Sequence, residues 1–119
     1  MVEEIKRYDV VLVDFGSVIG SEQGGIRPAV VVQNNKGNIY SSTTIVIPMT
    51  SRKTKHNIPT HAPIRKERGT GLKVDSILLG ECIRQVSKER IVSVLGSMTD
   101  ENDQNLVRTV YFNSFEFGE

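Results

Sequence analysis

Short runs rich in valine and isoleucine, each bounded by turn residues, follow one another along most of the chain. β-Branched side chains pack well on a pleated surface, and runs of about 5–7 residues have the length of a strand. Five runs predict strands: YDVVLVD (8–14), PAVVVQN (28–34), TTIVIPM (43–49), DSILLGECIRQV (75–86) and RIVSVLGSM (90–98). HAPI (61–64) predicts a short edge strand, because Pro59 and Pro63 would both interrupt a central one.

The connecting segments carry turn residues, and near the C-terminus the spacing of the apolar residues changes from that of a strand to that of a helix. NNKGN (34–38) predicts a hairpin turn, and RKERGTGLK (65–73) a mobile basic loop. A helix is predicted from 99 to about 115, with Thr99 as its N-cap. The stripe of residues that this helix is expected to lay over the sheet repeats at helical spacing and consists of Leu106, Val110, Asn113 and Phe117.

Strands separated by short turns, followed by one terminal helix, predict a mainly β fold with α (α+β). The expected architecture is a small, strongly bent antiparallel sheet or barrel with a C-terminal helix. The chain has 119 residues and shows no linker or repeat, so we expect one domain spanning 1–119. With no tryptophan and 6% aromatic residues, aliphatic side chains must form most of the core.

Charge is distributed unevenly although the net charge is only +1. Seven of the fifteen basic residues fall between Arg52 and Lys73, where Glu67 is the single acid, and the last 21 residues hold five acids against Arg108. Such an uneven distribution of charge suits a polyanion bound on one face of the protein. The alternative is an exposed, solvated loop, which charge alone favours.

Cysteine content and hydropathy indicate the cellular compartment in which the protein is expected. Cys82 is the single cysteine, so no intrachain disulfide can form, and a cytoplasmic protein is the simpler expectation. We expect neither a signal sequence nor a membrane partner, because no apolar run approaches the length of about 20 residues that a membrane helix needs.

The stretch GSEQGGIRP (20–28) places one arginine among three glycines and a proline. Gly20, Gly24 and Gly25 permit a tight loop, and Arg27 is held extended because it precedes Pro28. A guanidinium on a rigid base suits contact with phosphate oxygens. The alternative is an ion pair with Glu22 that ties the loop to itself, and physical reasoning leaves the two interpretations about even.

Other site chemistries find little support in the sequence. His56, His61 and Cys82 have no recognised zinc spacing, and the glycine pattern lacks the residues of a phosphate loop or a dinucleotide fold. We therefore expect no metal and no cofactor. The two histidines would suit acid–base chemistry, but their position in a loop favours solvated side chains.

Several stretches together resemble a known family. GSEQGGIRP, AVVVQNNKGN, TTIVIPMTSRK, NIPTHAPI and DSILLGECIRQVSKERI are similar to the MazF/PemK toxins, the endoribonuclease half of bacterial type II toxin–antitoxin pairs. The similarity runs from about Tyr8 into the C-terminal helix. It implies a curved, SH3-like antiparallel sheet with a C-terminal helix, a homodimer, and a separate MazE-like antitoxin as partner.

The resemblance also implies an activity. Members of the family cleave single-stranded RNA, including mRNA, at short motifs without metal or ribosome, using the 2′-hydroxyl as nucleophile. Arg27 and Thr50 match the family's catalytic arginine and threonine. A fixed guanidinium stabilises the charge that grows on phosphate in the transition state. Neither side chain is a good base, so Glu22 is the candidate helper.

Further residues near this motif are candidate RNA contacts. Ser21 and Gln23 carry groups that hydrogen-bond bases or backbone, and Arg52, Lys53 and Lys55 follow Thr50 closely enough to track phosphates. Taken singly, each of these residue types is more often an ordinary surface residue.

Two positions depart from the family pattern. Tyr8 precedes Asp9 where the family usually has glycine, and Cys82 stands where close relatives commonly carry the glutamine of EQIR, here read Glu81-Cys82-Ile83-Arg84. Cys82 is more simply a buried small apolar residue. The alternative function is a non-catalytic SH3-like toxin or binding module that inhibits a protein such as a topoisomerase.

Overall fold

The computed structural model describes residues 4–17, 24–52 and 58–116, and within them it contains seven strands and two helices. In chain order the elements are β1 (Asp9–Asp14), β2 (Ile26–Val31), α1 (Asn35–Tyr40), β3 (Thr43–Thr50), β4 (His61–Ile64), β5 (Ser76–Leu79), β6 (Arg84–Ser87), β7 (Ile91–Ser97) and α2 (Glu101–Glu116). The predicted α+β class is confirmed.

All strand pairs are antiparallel and follow the order β4-β5-β3-β2-β1-β7, with β6 also paired to β3. β3 is central because it has three partners: β2 along one edge, and β6 and then β5 along the other. Within the described residues no pairing joins β4 to β7, so the sheet does not close into a barrel. HAPI is an edge strand, as predicted.

The sheet buries aliphatic side chains on both faces. One cluster includes Val10, Val30, Ile47 and Leu78 and packs against Val107 and Val110 of α2. The other face buries a second cluster: Ile5, Val11, Val13, Phe15, Ala29, Val31, Val46, Val86 and Ile91. This two-sided burial explains why the strands are nearly continuous valine and isoleucine runs and do not alternate strictly with polar residues.

The predicted strand over 75–86 is wrong as a single element. It is two strands, β5 and β6, separated by a 3₁₀ turn at Gly80–Cys82, and both pair with β3 at different points. Gly80 marks the break because its backbone lies against α2: a Cβ there would come within 2.3 Å of Val110 Cγ1 and 2.7 Å of the Thr60 carbonyl oxygen.

The predicted hairpin turn at 34–38 is also wrong, since the segment opens the short helix α1. The Asn34 side chain accepts a hydrogen bond from Gly37 N at 2.9 Å and so caps the helix. Asn38 is buried and accepts hydrogen bonds from the Gln33 amide and the Thr44 hydroxyl. Those partners lie on both sides of the segment, so they favour a helical turn over a two-residue hairpin.

The terminal helix begins at Glu101, two residues later than predicted, and its cap is Asp100 in place of Thr99. The Asp100 carboxylate accepts hydrogen bonds from Asn102 N at 2.8 Å and Asp103 N at 3.3 Å. In the predicted stripe, Val110 is buried and Leu106 packs against the core, whereas Asn113 donates to the Pro59 carbonyl at 2.7 Å. Phe117 lies outside the described residues.

Tyr8 adopts the left-handed conformation, with φ 75°, which favours glycine. A non-glycine residue there costs about 1–2 kcal/mol. Its contacts offset that strain: the amide donates to Val31 O, the carbonyl accepts from Met98 N, and the hydroxyl accepts from Arg108 at 2.8 Å. The Arg7 guanidinium also lies 5.0 Å from the ring centre.

The basic segment 65–73 is a loop, as predicted, but its packing argues against mobility. Thr70 and Leu72 are buried, and Ser97 N of β7 donates to the Gly69 carbonyl at 2.9 Å. The segment follows β4, so this contact brings opposite ends of the strand order together and shows how strongly the sheet bends. Arg68 then contacts the start of α2, 2.6 Å from Asp100 and 3.7 Å from Asp103.

The Arg68 contacts lead to a prediction about stability and pH. The hydrogen bond from Arg68 lowers the pKa of Asp100, whereas burial raises the pKa of Asp103 and Arg68 opposes that rise. Arg68→Ala should therefore destabilise the fold near neutral pH, because it removes the partner of one carboxylate and leaves the buried one uncompensated.

Acidification should reduce that difference. A carboxyl whose pKa is lowered by folding stabilises the fold above its unfolded pKa, about 3.9 for aspartate, and loses this contribution as the pH falls through the folded value. Urea unfolding at pH 7 and at about pH 3 measures the effect. The neighbouring exposed Arg65→Ala is the control, and an equal loss of stability for Arg68→Ala at both values would contradict the ion-pair explanation.

Candidate active site

Arg27 and Thr50 lie on neighbouring strands of the sheet. β2 and β3 pair Val31 with Val46 and Ala29 with Pro48, and Arg27 and Thr50 each lie two residues beyond the last of these pairs, at the same end of the two strands. Opposed residues of an antiparallel pair point to the same face, with Cα atoms about 4.5–5.5 Å apart. Arg27 and Thr50 therefore lie at the same end of neighbouring strands and, by strand alternation, on the same face of the sheet.

The Arg27 side chain is anchored at the base of its loop. It is half-buried, and its Nε donates to the Gly24 carbonyl at 2.9 Å. Gly25, with φ 74°, closes the loop through backbone hydrogen bonds to Phe15 and Gly16. This arrangement fixes the plane of the guanidinium, as contact with a phosphate requires.

Thr50 ends β3 with its hydroxyl at the surface. Its Oγ1 accepts a hydrogen bond from Arg52 N at 3.2 Å, so the hydroxyl proton remains available for a ligand. On its other side Thr50 pairs with Ile77 of β5. Arg52 is exposed beside Thr50.

Several of the predicted site residues lie outside the described residues: Ser21, Glu22, Gln23, Lys53, Lys55 and His56. The alternative ion pair between Arg27 and Glu22 falls there too. The basic window between Arg52 and Lys73 does not form one surface, because Arg52 lies beside Thr50 whereas Arg68 pairs with Asp100 at the start of α2.

Cys82 lies within reach of the Arg27 charge. Burial raises the pKa of the Cys82 thiol, the neighbouring Glu81 raises it further, and the positive charge of Arg27 lowers it. The residue is thus only partly buried, where a buried residue was predicted, and the charge of Arg27 reaches its thiol. A raised pKa makes it a poor nucleophile.

Arg84 is a second arginine on this face that the sequence analysis did not select. It pairs with Val46 across β6 and β3, and its guanidinium lies 5.4 Å from the centre of the Phe15 ring. Val46 shares its face with Thr50 by strand alternation, so Arg84 does as well. Its place in the stretch Glu81-Cys82-Ile83-Arg84, which already departs from the family pattern, was the available signal.

The expectation of a solvated His61 is wrong. His61 begins β4, its side chain is 12% exposed, and its Nε2 lies 2.7 Å from Glu81 Oε2. Within the described residues no group of three or more histidine, cysteine or acidic side chains is placed to bind a metal. No helix in the described part of the chain is long and apolar enough to cross a membrane.

Two surface clefts lie apart from this site. One of about 410 Å³ is lined by α1 residues together with Lys6 and Lys88, and another of about 330 Å³ lies beside Arg7 and Tyr111. Single-stranded nucleic acid binds along open grooves with basic side chains, so cleft volume is a weaker indicator here than the Arg27–Thr50 pair.

The fold and the site together define a small, curved-sheet α+β protein that presents an anchored arginine and a threonine on the face opposite its terminal helix. The family model described as PemK-like, MazF-like toxin of type II toxin-antitoxin system matches residues 6–111. The chain belongs to this family.

Solved structures of related fold agree with this assignment. MazF from Deinococcus radiodurans aligns with a TM-score of 0.77 at 21% identity, over 96% of each chain. An endoribonuclease in complex with its cognate antitoxin, from a mycobacterial species, aligns with a TM-score of 0.73 at 20% identity, over 92% of this chain and 93% of that one. Mycobacterium tuberculosis toxin MazF-mt6 aligns with a TM-score of 0.69 at 14% identity, over 91% of this chain and 96% of that one. At these identities the likeness establishes the fold.

Proposed function

We propose that this protein is the toxin of a type II toxin–antitoxin pair and acts as a sequence-specific, metal- and ribosome-independent endoribonuclease on single-stranded RNA in the cytoplasm. The placement of Arg27 and Thr50 at the same end of adjacent strands carries the proposal. Family membership supports it, as do fold relatives that are named endoribonucleases.

The proposed reaction is an intramolecular phosphoryl transfer. The 2′-hydroxyl oxygen attacks the neighbouring phosphorus, the bond from phosphorus to the 5′ oxygen breaks, and the products are a 2′,3′-cyclic phosphate and a 5′-hydroxyl end. The proton of the 2′-hydroxyl leaves the nucleophile, and a proton is delivered to the departing oxygen. Requirement for the 2′-hydroxyl restricts the chemistry to RNA.

Arg27 and Thr50 have different roles in this scheme. The anchored Arg27 guanidinium stabilises the negative charge that grows on the phosphate oxygens. The Thr50 hydroxyl donates to the same phosphate while its oxygen accepts from Arg52 N. We assign Glu22 as helper in proton transfer, and Ser21, Gln23, Arg52, Lys53 and Lys55 as RNA contacts.

Incubation with a long RNA in the presence of EDTA tests this function. Discrete fragments with cyclic-phosphate ends support a metal-independent endoribonuclease, and sequencing those ends gives the motif. Intact RNA from a folded protein would instead favour the second candidate, a toxin that binds and inhibits a protein target. Family membership alone leaves that candidate open, since one fold hosts several functions.

We also propose that the protein forms a homodimer and binds a separate MazE-like antitoxin. Fold relatives include MazE–MazF complexes from Deinococcus radiodurans. Apolar side chains remain exposed on α2. The ring centres of Tyr111 and Phe115 lie 5.2 Å apart, and Phe112 is 57% exposed. Light scattering at micromolar concentration should give twice the 13.3 kDa chain mass, and a monomer would contradict the dimer.

A further inference from the structure

The Glu81 carboxylate is held in place by two side chains at the margin of the candidate active site. His61 Nε2 donates to Glu81 Oε2 at 2.7 Å, because an ionised carboxylate only accepts, and the Thr60 hydroxyl donates to Oε1 at 3.1 Å. The Glu81 side chain is nevertheless 44% exposed. The carboxylate is therefore both fixed in orientation and open to a ligand.

The backbone that carries these three residues is rigid. Gly80 N donates to the Thr60 carbonyl at 2.8 Å, and Gly80 itself packs against Val110 of α2. The preceding turn is fastened by the Asn113 amide, which donates to the Pro59 carbonyl. A ligand that meets Glu81 therefore meets a group that loses little conformational entropy on binding.

His61 acts through Glu81 and has no exposed nitrogen for a ligand. Its Nδ1 is buried and has no hydrogen-bond partner among residues 4–17, 24–52 and 58–116. Its side chain is largely buried, so the imidazole presents Nε2 to the carboxylate and little else to solvent. The geometry defines His61 as a positioning residue.

Strand alternation places His61, the residue that orients Glu81, on the face of Arg27 and Thr50. Thr50 pairs with Ile77 of β5, Leu79 is two residues further along the same face, and His61 pairs with Leu79. The thiol of Cys82, adjacent to Glu81, responds to the charge of Arg27. RNA held at Arg27 and Thr50 would pass close to the carboxylate.

A carboxylate beside bound RNA repels phosphates, so it favours binding only if it accepts hydrogen bonds from a base. Its two oxygens offer about four acceptor positions, and His61 and Thr60 occupy two of them. Adenine, cytosine and guanine each carry an exocyclic amino group that donates to the remaining positions. Uracil has keto oxygens there, which a carboxylate repels.

We propose that Glu81 reads a base that bears an exocyclic amino group in the RNA bound at Arg27 and Thr50, and that His61 and Thr60 position its carboxylate. The inference rests on the proposed RNA-binding function and goes beyond it by assigning one element of the sequence preference to a particular side chain.

Equilibrium binding to short deoxyribose oligonucleotides tests the proposal, since they cannot undergo 2′-hydroxyl attack. One oligonucleotide carries uracil throughout, and three carry a single central adenine, cytosine or guanine. Fluorescence anisotropy should show that the protein binds at least one of the three about 10-fold more tightly than the uracil oligonucleotide. Glu81→Gln should abolish that preference, whereas Glu101→Gln, the same change at the start of α2, should retain it.

The positioning role of His61 has a separate readout. His61→Phe retains a planar ring without the donor and should reduce the preference to about threefold, whereas His61→Gln, which keeps an amide donor, should restore part of it. A purely structural role for His61 would lower thermal stability without changing the ratio of affinities. If His61→Phe does not fold, Thr60→Val removes the other hydrogen bond and should reduce the same ratio.

Equal affinity for all four oligonucleotides, or an unchanged preference in Glu81→Gln, would overturn the inference. Because binding needs no turnover, these outcomes are distinct from failure of the endoribonuclease proposal, which would appear as intact RNA in the cleavage assay. Where the wild-type protein cleaves, sequenced ends should show the amino-base preference at one position of the motif and its loss in Glu81→Gln.

Discussion

Arg27→Ala should lower the rate of RNA cleavage by about 10²–10³-fold, the effect of removing one donor that stabilises charge in a transition state. The expected reason is geometric: the hydrogen bond from Nε to the Gly24 carbonyl anchors the guanidinium, so truncation leaves the developing charge on phosphate without its donor. The substitution opens no cavity in either apolar cluster, because Arg27 belongs to neither. Initial rates on a defined RNA give the comparison.

Two further variants separate charge from geometry. Arg27→Lys retains the positive charge but loses the planar fork, so we expect it to recover only a small part of the rate. Arg52→Ala, which removes an exposed arginine beside Thr50, should weaken RNA binding more than it slows the chemical step. A folded Arg27→Ala protein with a nearly normal rate would show that the catalytic assignment is wrong.

Gly71→Ala should cause the largest loss of stability among the glycine substitutions. Gly71 has φ 76°, and a Cβ there would lie 2.2 Å from the Leu95 carbonyl oxygen and 2.6 Å from its carbon, both of them backbone atoms. Left-handed strain and overpacking together predict a loss of about 2–5 kcal/mol in the free energy of unfolding. Urea denaturation measures it.

Gly25→Ala is the matched control for that substitution. Gly25 has nearly the same φ, 74°, but no atom in the described part of the chain lies within 4 Å of the position its Cβ would take. It therefore isolates the conformational cost, about 1–2 kcal/mol, from the clash. Equal destabilisation by the two variants would mean that the close approach between the 65–73 segment and β7 adds nothing to stability.

Local sequence preferences determined most of the elements. The valine and isoleucine runs became β1, β2, β3 and β7 with shifts of a few residues at their ends, and the helical stripe became α2. These signals succeed because strand and helix propensities act over a few neighbouring residues. The glycine-rich motif likewise selected Arg27 as a candidate, since the chemistry of that stretch is contained in nine consecutive residues.

Tertiary contacts decided the features that the sequence analysis missed. The break at Gly80 exists because α2 leaves no room for a side chain there, and the left-handed Tyr8 is tolerated because Arg108, 100 residues away, bonds its hydroxyl. His61 and Glu81 meet over a separation of 20 residues through the pairing of β4 with β5. Such contacts have no local signature, because they depend on which strands become neighbours once the sheet has bent.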